Sequence, residues 1–294
     1  MNPTEQMRPI NQMTMQQKIR NSLRHPLSML VYVLVVAGAI ITFFILIYLI
    51  AYVVANGVPY ITPSLFEIEY TTENVSLLPS IFNTLIITLL SLLIAAPLGI
   101  FTAVYLVEYA KRGNKVVETI RLATETLAGI PSIVYGLFGL IFFVTTTGWG
   151  YSLLAGACTL GIMILPLVIR TTEEALKAVP DTYREASFGL GAGKLRTVFK
   201  IVFPAALPGV LAGVILAIGR VVGETAALIY TAGTVAQMPS SLLDSGRTLA
   251  IHMYALSSEG LHTNEAYATA VVLLVMVLAI NSLSAFVARK FSKT

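Results

Sequence analysis

This sequence has few charged residues, one cysteine and no closely spaced histidines. Charged residues make up 12% of the 294 positions, while 56% of the positions are hydrophobic. The charged share is about half that of soluble domains. The one cysteine, Cys158, excludes a disulfide within the chain, and neither it nor the three widely separated histidines has the spacing of a metal site. This much apolar surface exceeds what a core of this size buries, so lipid is expected to cover much of the chain.

Six apolar segments are long enough to cross a bilayer, which takes about 20 predominantly apolar residues. They cover residues 28–56, 78–107, 122–144, 151–170, 206–232 and 266–288. The first segment is longer than the hydrophobic core of a cleaved signal peptide, so it is predicted to be a membrane helix. The expected fold class is therefore an all-α membrane protein with about six transmembrane helices.

Lys and Arg are distributed unequally along these segments. All of the 19 basic residues except Arg220 and Arg247 fall in the tails or in every second loop. The positive-inside rule then predicts that both termini are cytoplasmic. Because the basic residues flank apolar segments, they indicate a membrane protein and no nucleic-acid partner is expected. The predicted regions are a cytoplasmic tail (1–27), a first membrane helix (28–56), an outer loop (57–77), a core of five membrane helices (78–288) and a cytoplasmic tail (289–294).

The cytoplasmic loop at 171–205 contains signals of ordered structure. Glu173 and Lys177 are four residues apart, which predicts that the fourth span continues as a helix beyond the membrane. Asp181 is predicted to be the N-cap of a new short helix over residues 182–188. A plain amphipathic connector between two spans would give the same local pattern.

The residues of this loop resemble the EAA loop of ABC importer permeases. That motif reads E-A-A, three residues, glycine, nine residues and I-x-L-P. The same spacing is kept here by Glu185, Ala186, Ser187, Gly191, Ile201 and Pro204. Serine replaces the second alanine at Ser187, and Phe203 replaces the leucine. The resemblance implies that the stretch beginning at Asp181 forms a coupling helix that sits in a groove of a separate ATPase subunit.

The chain is not expected to bind ATP itself. The run from Gly189 to Lys194 superficially resembles a phosphate-binding loop, but it lacks both the first glycine of that motif and the Ser or Thr after the lysine. ATP and magnesium are therefore expected on the partner ATPase. No cofactor, catalytic residue, metal site or enzyme activity is expected in this chain.

Arg220 and Glu224 lie inside the predicted fifth span. Their spacing of four residues would place both charges on one helix face near the middle of the bilayer, where each offsets the other. The planar guanidinium of Arg220 suits a tetrahedral oxyanion, and Glu224 is expected to hold it when substrate is absent. Glu125, four residues after Arg121 at the inner end of the third span, is a further pathway or gate candidate. A buried pair that only fixes helix packing is the alternative.

Two stretches are similar to those of phosphate-specific (Pst) ABC importer permeases, and most of all to their A-type subunit: Leu127–Gly136 and Arg220–Thr225. The resemblance covers nearly the whole chain. It implies a bundle like that of type I ABC importer permeases in the bacterial inner membrane, and import of phosphate by alternating access. The implied partners are a sister C-type permease, two ATPase subunits and a periplasmic phosphate-binding protein.

Other functions are compatible with parts of the pattern. An ABC permease for phosphonate, sulfate, molybdate or an amino acid would carry the same coupling loop. An ion-coupled secondary transporter or a channel would show inverted repeats and broken half-helices. A membrane sensor or scaffold that transports nothing is the third alternative.

Overall fold

The structure is a computed structural model that describes residues 26–111 and 113–291. Within these ranges every regular element is helical. The predicted N-terminal tail up to residue 25 and residues 292–294 of the predicted C-terminal tail lie outside the described residues. The chain divides into two units, of which the first ends at Ala55 and the second begins at Asn56.

The first unit consists of most of helix α1 (Pro26–Gly57). This helix contains no Asp, Glu, Lys or Arg, and the run Leu27–Tyr60 is long and apolar enough to cross a membrane. It confirms the first predicted span.

The second unit contains the remaining helices. They are α2 (Leu78–Val104), α3 (Lys115–Ala128), α4 (Ser132–Gly139), α5 (Leu153–Lys177), α6 (Asp181–Gly189), α7 (Lys194–Thr197), α8 (Phe203–Val222), α9 (Ala226–Ile229), α10 (Leu249–Glu259) and α11 (Thr263–Phe291). Wider π-helical turns extend α2 through Tyr105–Tyr109, extend α4 through Leu140–Thr146, and join α7 to α8 through Val198–Val202.

Helix α5 is the centre of this unit and packs between α2 and α8. Its side chains Leu160, Ile164 and Val168 are fully buried. Small residues let the helix axes approach closely: Gly99 of α2 lies against Val168, and a methyl group at Gly213 of α8 would overlap Thr171 of α5. The core is therefore built from one long apolar helix that is buried by its neighbours.

Five helices of the described chain are long and apolar enough to span a membrane, and six if α3 and α4 together count as one span. The five are Leu27–Tyr60, Leu78–Tyr109, Leu153–Lys177, Lys194–Val222 and Thr263–Phe286. This confirms the predicted all-α membrane fold. The helix of the fourth span also continues to Lys177 as predicted, with Lys177 Nζ 2.7 Å from Glu173 Oε1.

The predicted third span, 122–144, is not one continuous helix. Helix α3 ends at Ala128, and α4 begins at Ser132 after a bend of 103°. Pro131 causes this break, since proline has no N–H to donate and disfavours helical geometry in the residue before it. The hydroxyl of the buried Tyr135 spans the bend and donates to the Leu127 carbonyl at 2.8 Å.

Two further boundaries differ from the prediction. The fifth span ends at Val222 rather than at residue 232, because Gly223 interrupts the helix before α9. The segment between the fifth and sixth predicted spans contains helix α10, whose N-cap hydroxyl on Thr248 accepts a hydrogen bond from the Ile251 N–H. Gly260, with φ of +73°, ends α10 in the left-handed conformation that glycine adopts most easily.

Candidate functional site

Arg220 lies in the last turn of α8, and its side chain is exposed in a cavity of about 550 Å³. Apart from Asn281 of α11, the other groups that line this cavity are apolar or glycine: Leu167, Ala212, Ile215, Leu216 and Gly219. The guanidinium forms no ion pair or hydrogen bond with any residue that the structure describes, although it is close enough to Tyr135 to interact electrostatically. Its five N–H donors are therefore available to an anion.

The predicted pair between Arg220 and Glu224 is wrong. Helix α8 ends at Val222, so Glu224 does not lie one turn above Arg220 on a continuous helix. Its Oε1 atom instead accepts a hydrogen bond from the Ala227 N–H at 3.2 Å, at the start of α9. The unpaired N–H groups of a helix start attract a carboxylate, and this local partner leaves the Arg220 charge uncompensated.

Asn281 was not singled out from the sequence. It lines the same cavity as Arg220, and its Oδ1 atom is buried without a hydrogen-bond partner. Leaving such an acceptor unsatisfied costs about 1–3 kcal/mol, so its place in an apolar helix calls for an explanation. The signal in the sequence was one carboxamide within the last apolar run, and it becomes interpretable only once α8 and α11 are known to pack together.

Glu125 lies in a different place from Arg220. It is exposed in a cleft of about 410 Å³ between α3 and α5. The i,i+4 spacing suggested that Arg121 pairs with Glu125. In the structure Arg121 pairs with Glu173 instead, at 2.8 Å. Glu173 also pairs with Lys177 at 2.7 Å on its own helix, so this carboxylate links α3 to the last turns of α5. The three predicted pathway residues thus do not converge on one site in this chain.

The short helix predicted over residues 182–188 is present as α6 (Asp181–Gly189). Glu185 and Ala186 are exposed on it, as are Tyr183, Phe188 and the Leu190 side chain that follows. Asp181 is not the N-cap as predicted: Pro180 occupies that position, and Asp181 lies in the first turn, 3.1 Å from Arg184 Nη1. The result is an outward surface that combines apolar groups with one carboxylate.

The remaining loop residues fix the shape of this surface. Ser187 is buried and its Oγ lies 2.8 Å from Thr197 Oγ1, so it fastens α6 to α7 instead of facing outward. Gly191 has φ of +82°, a conformation that favours glycine, and it turns the chain away from α6. Ile201 is half-buried in the π-helical turn, and Pro204 lies in the first turn of α8, where a missing N–H costs little.

A second polar cluster is buried where α10 meets the first turn of α2. His252 of α10 is fully buried, with Nδ1 3.3 Å from Ser80 Oγ, and Arg247 stacks on the Tyr70 ring at 4.6 Å. Burial and the nearby Arg247 charge lower the pKa of His252 to about 3. The imidazole is therefore neutral at physiological pH and joins α10 to the start of α2.

Comparison with protein families matches residues 95–293 to the family described as binding-protein-dependent transport system inner membrane component. The match covers α3 to α11 in full, together with the later part of α2, and it includes the whole loop at 171–205. It also includes Arg220, Glu224, Glu125 and Asn281.

Among curated proteins, the chain is 37% identical over 217 residues to the probable ABC transporter permease protein YqgI of Bacillus subtilis, covering 68% of this chain and 74% of that one. It is 33% identical to the phosphate transport system permease protein PstA of Mycobacterium leprae, covering 69% and 67%. Among solved structures, a bacterial alginate ABC transporter in complex with its periplasmic protein contains a chain that matches with a TM-score of 0.67 over 90% of this chain and 96% of that one. At 15% identity this last likeness concerns the fold alone.

Proposed function

We propose that this chain, which belongs to the family of inner membrane components of binding-protein-dependent transport systems, is the permease subunit through which inorganic phosphate enters a bacterial cell. As a transport subunit it is not itself an enzyme. The relatives named for phosphate transport support the substrate assignment. The observation that carries it within this chain is the uncompensated Arg220 guanidinium in its largely apolar cavity.

The chemistry of that cavity fits a tetrahedral oxyanion. At the mid-bilayer depth that the sequence predicts for Arg220, a charge costs about 2.5–3.5 kcal/mol on insertion scales, and the described residues provide no carboxylate to offset it. An anion that passes the cavity offsets that cost by accepting charge-assisted hydrogen bonds from the guanidinium. The Asn281 carboxamide adds a neutral polar group on the opposite helix. Arg220 is thus placed to hold phosphate only transiently, since one cation alone does not neutralise a dianion.

The subunit works in an assembly in our proposal. A sister permease of the C type completes the pathway, two ATPase subunits bind ATP and magnesium, and a periplasmic phosphate-binding protein delivers the substrate to the outer loops. The exposed, partly apolar surface of α6 supports a partner at that position, because isolated apolar groups gain from burial at an interface. The basic residues of the tails and of this loop support a cytoplasmic position for both termini.

The proposed mechanism is alternating access. Closure of the ATPase dimer displaces α6, and this motion is passed to α2, α5 and α8, whose close packing makes them move together. The cavity at Arg220 then opens to one side of the membrane at a time. The position of Glu125 in the cleft between α3 and α5 supports a role for it as a gate in this mechanism.

The test is purification of the chain from its native membrane, identification of what copurifies, and reconstitution of that complex in liposomes. ATP-dependent uptake of labelled phosphate, competed by unlabelled phosphate and not by sulfate, molybdate or phosphonate, is the expected result. Competition by another oxyanion would reassign the substrate while keeping the permease role. Uptake that persists without ATP would instead indicate an ion-coupled transporter or a channel and overturn the proposal.

A further inference from the structure

Arg184 of α6 forms a largely buried ion pair with a residue 76 positions earlier in the chain. Its Nη2 and Nε atoms lie 2.7 Å and 3.1 Å from Oε1 of Glu108, in the π-helical turn that ends α2. The side chains of Arg184 and Glu108 are only 15% and 8% exposed. Neither residue is part of the EAA pattern, and their distance in sequence hides the pairing.

The same guanidinium also binds the end of α5. Nη2 donates to the Leu176 carbonyl at 3.0 Å and Nη1 to the Val179 carbonyl at 2.8 Å. The Leu176 carbonyl also accepts a hydrogen bond from the Val179 N–H at 3.3 Å, so Arg184 adds a second bond to it. The Val179 carbonyl lies in the connection between α5 and α6. One side chain thereby connects three elements: α6, the end of α2 and the end of α5.

This junction is enclosed by apolar packing. Leu176 and Val179 belong to a buried cluster with Ala103 and Val104 of α2 and Val202 before α8. Water has little access, so the charges attract each other more strongly than they would at the surface. The contact of Arg184 with Asp181 is different, because Asp181 is 86% exposed and such pairs contribute little.

Helix α6 has few other attachments to the helices of the membrane. Pro180 precedes it and Gly191, in the left-handed conformation, follows it, and neither residue continues a helix. Ser187 joins it to the short α7 through one hydroxyl pair. Apart from Arg184, α6 is joined to α5 by the short connection at 178–180 and to α7 by the turn at Gly191.

We propose that Glu108 and Arg184 are positioning residues that make α6, the end of α2 and the end of α5 move as one body when a motor subunit pushes on α6. This inference rests on the proposed function, in which α6 is the contact with the ATPase. The outward face of α6, with the adjacent Glu185, receives the force, and the inward fork of Arg184 passes it on. Loss of the pair leaves ATPase binding intact and breaks the link to transport.

The experiment uses the complete reconstituted transporter and measures phosphate transported per ATP hydrolysed. Glu108→Gln removes one charge at nearly constant size, Arg184→Gln removes the whole guanidinium fork, and the double variant completes the double-mutant cycle. We expect each single variant to copurify with the ATPase normally and to lose about tenfold in transport per ATP, the effect of weakening one charge-assisted contact by about 1.4 kcal/mol. Because the two residues act as a unit, the double variant should lose no more than either single one.

Glu118→Gln is the matched control, because Glu118 is exposed on α3 and forms no ion pair with any residue that the structure describes. Arg184→Lys is used if a glutamine variant does not assemble. It keeps the charge but loses the planar fork, so its transport per ATP should be reduced relative to the wild type but not abolished. Wild-type coupling in assembled Glu108→Gln or Arg184→Lys, or losses that multiply in the double variant, would overturn the inference. A wild-type complex that does not move phosphate would refute the proposed function instead.

Discussion

Replacing Arg220 with glutamine should abolish phosphate uptake without destabilising the protein. The guanidinium is exposed in a largely apolar cavity and makes no hydrogen bond or ion pair with the residues that the structure describes. Removing it therefore breaks no hydrogen bond or ion pair among the described residues. It also removes a cost of up to about 2.5–3.5 kcal/mol for holding a charge at the predicted depth. The melting temperature of the variant should therefore equal or exceed that of the wild type.

The loss of transport follows from the same geometry. A hydrogen bond that involves a charged group contributes about 1.5–3 kcal/mol, so losing two bonds from the guanidinium to an oxyanion weakens that step by at least about 3 kcal/mol. This corresponds to about 100-fold or more in the occupancy of the pathway site. Arg220→Lys keeps the charge but loses the planar fork and should retain part of the activity.

The assay measures ATP-dependent uptake of labelled phosphate in proteoliposomes and the melting temperature of the purified complex. Lys115→Gln is the matched control, since Lys115 is exposed at the start of α3. Two results would refute the reasoning. Normal uptake by Arg220→Gln would remove Arg220 from the pathway, and a lower melting temperature with normal assembly would show that Arg220 is a structural group.

Three further predictions concern the loop, the helix packing and the outer face. Gly191→Leu should strain the backbone at φ of +82° by about 1–2 kcal/mol and shift α6, so that ATP hydrolysis no longer responds to transport; an unchanged, transport-coupled hydrolysis rate would count against the coupling loop. Gly213→Leu should lower the melting temperature, because overlap with Thr171 forces α8 from α5 at a cost of about 1–3 kcal/mol, and an unaltered melting curve would contradict that packing. His252 has a folded-state pKa of about 3, against an ordinary value of 6.5. Between these pH values the unfolded state binds one more proton than the folded state, so the free energy of unfolding falls by about 1.4 kcal/mol for each pH unit below 6.5. The difference in melting temperature between pH 7 and pH 5 should therefore be smaller in His252→Phe than in the wild type, and an equal difference in both proteins would contradict this role.

The long spans were predictable because each apolar run reaches the length of about 20 residues that a helix needs to cross a bilayer. The α6 helix was predictable as well, since Pro180 and the glycines after Phe188 mark its ends. The pair between Arg220 and Glu224 was mispredicted because an i,i+4 spacing has meaning only within one helix. Gly223 ends α8 between the two residues, and the N–H groups of α9 then compete for the carboxylate.

Contacts between segments far apart in the chain could not be predicted from the sequence. Nothing local in Glu108 indicates that Arg184 binds it, because the contact depends on how α2, α5 and α6 end beside one another. Arg121 likewise had a carboxylate at the right helical spacing and pairs with Glu173 of another helix instead. The importance of Asn281 also depends on the packing of α8 against α11.

Cross-linking from Ala186 in the native membrane tests the central claim most directly. Ala186 is exposed on α6, so a photoreactive amino acid at this position should capture an ATP-binding subunit, with a yield that changes when ATP is added. The same group at Leu261, which is exposed on the predicted outer side, should not. Capture of no ATP-binding protein from Ala186, or labelling of that position by a membrane-impermeant reagent added outside the cell, would contradict the account.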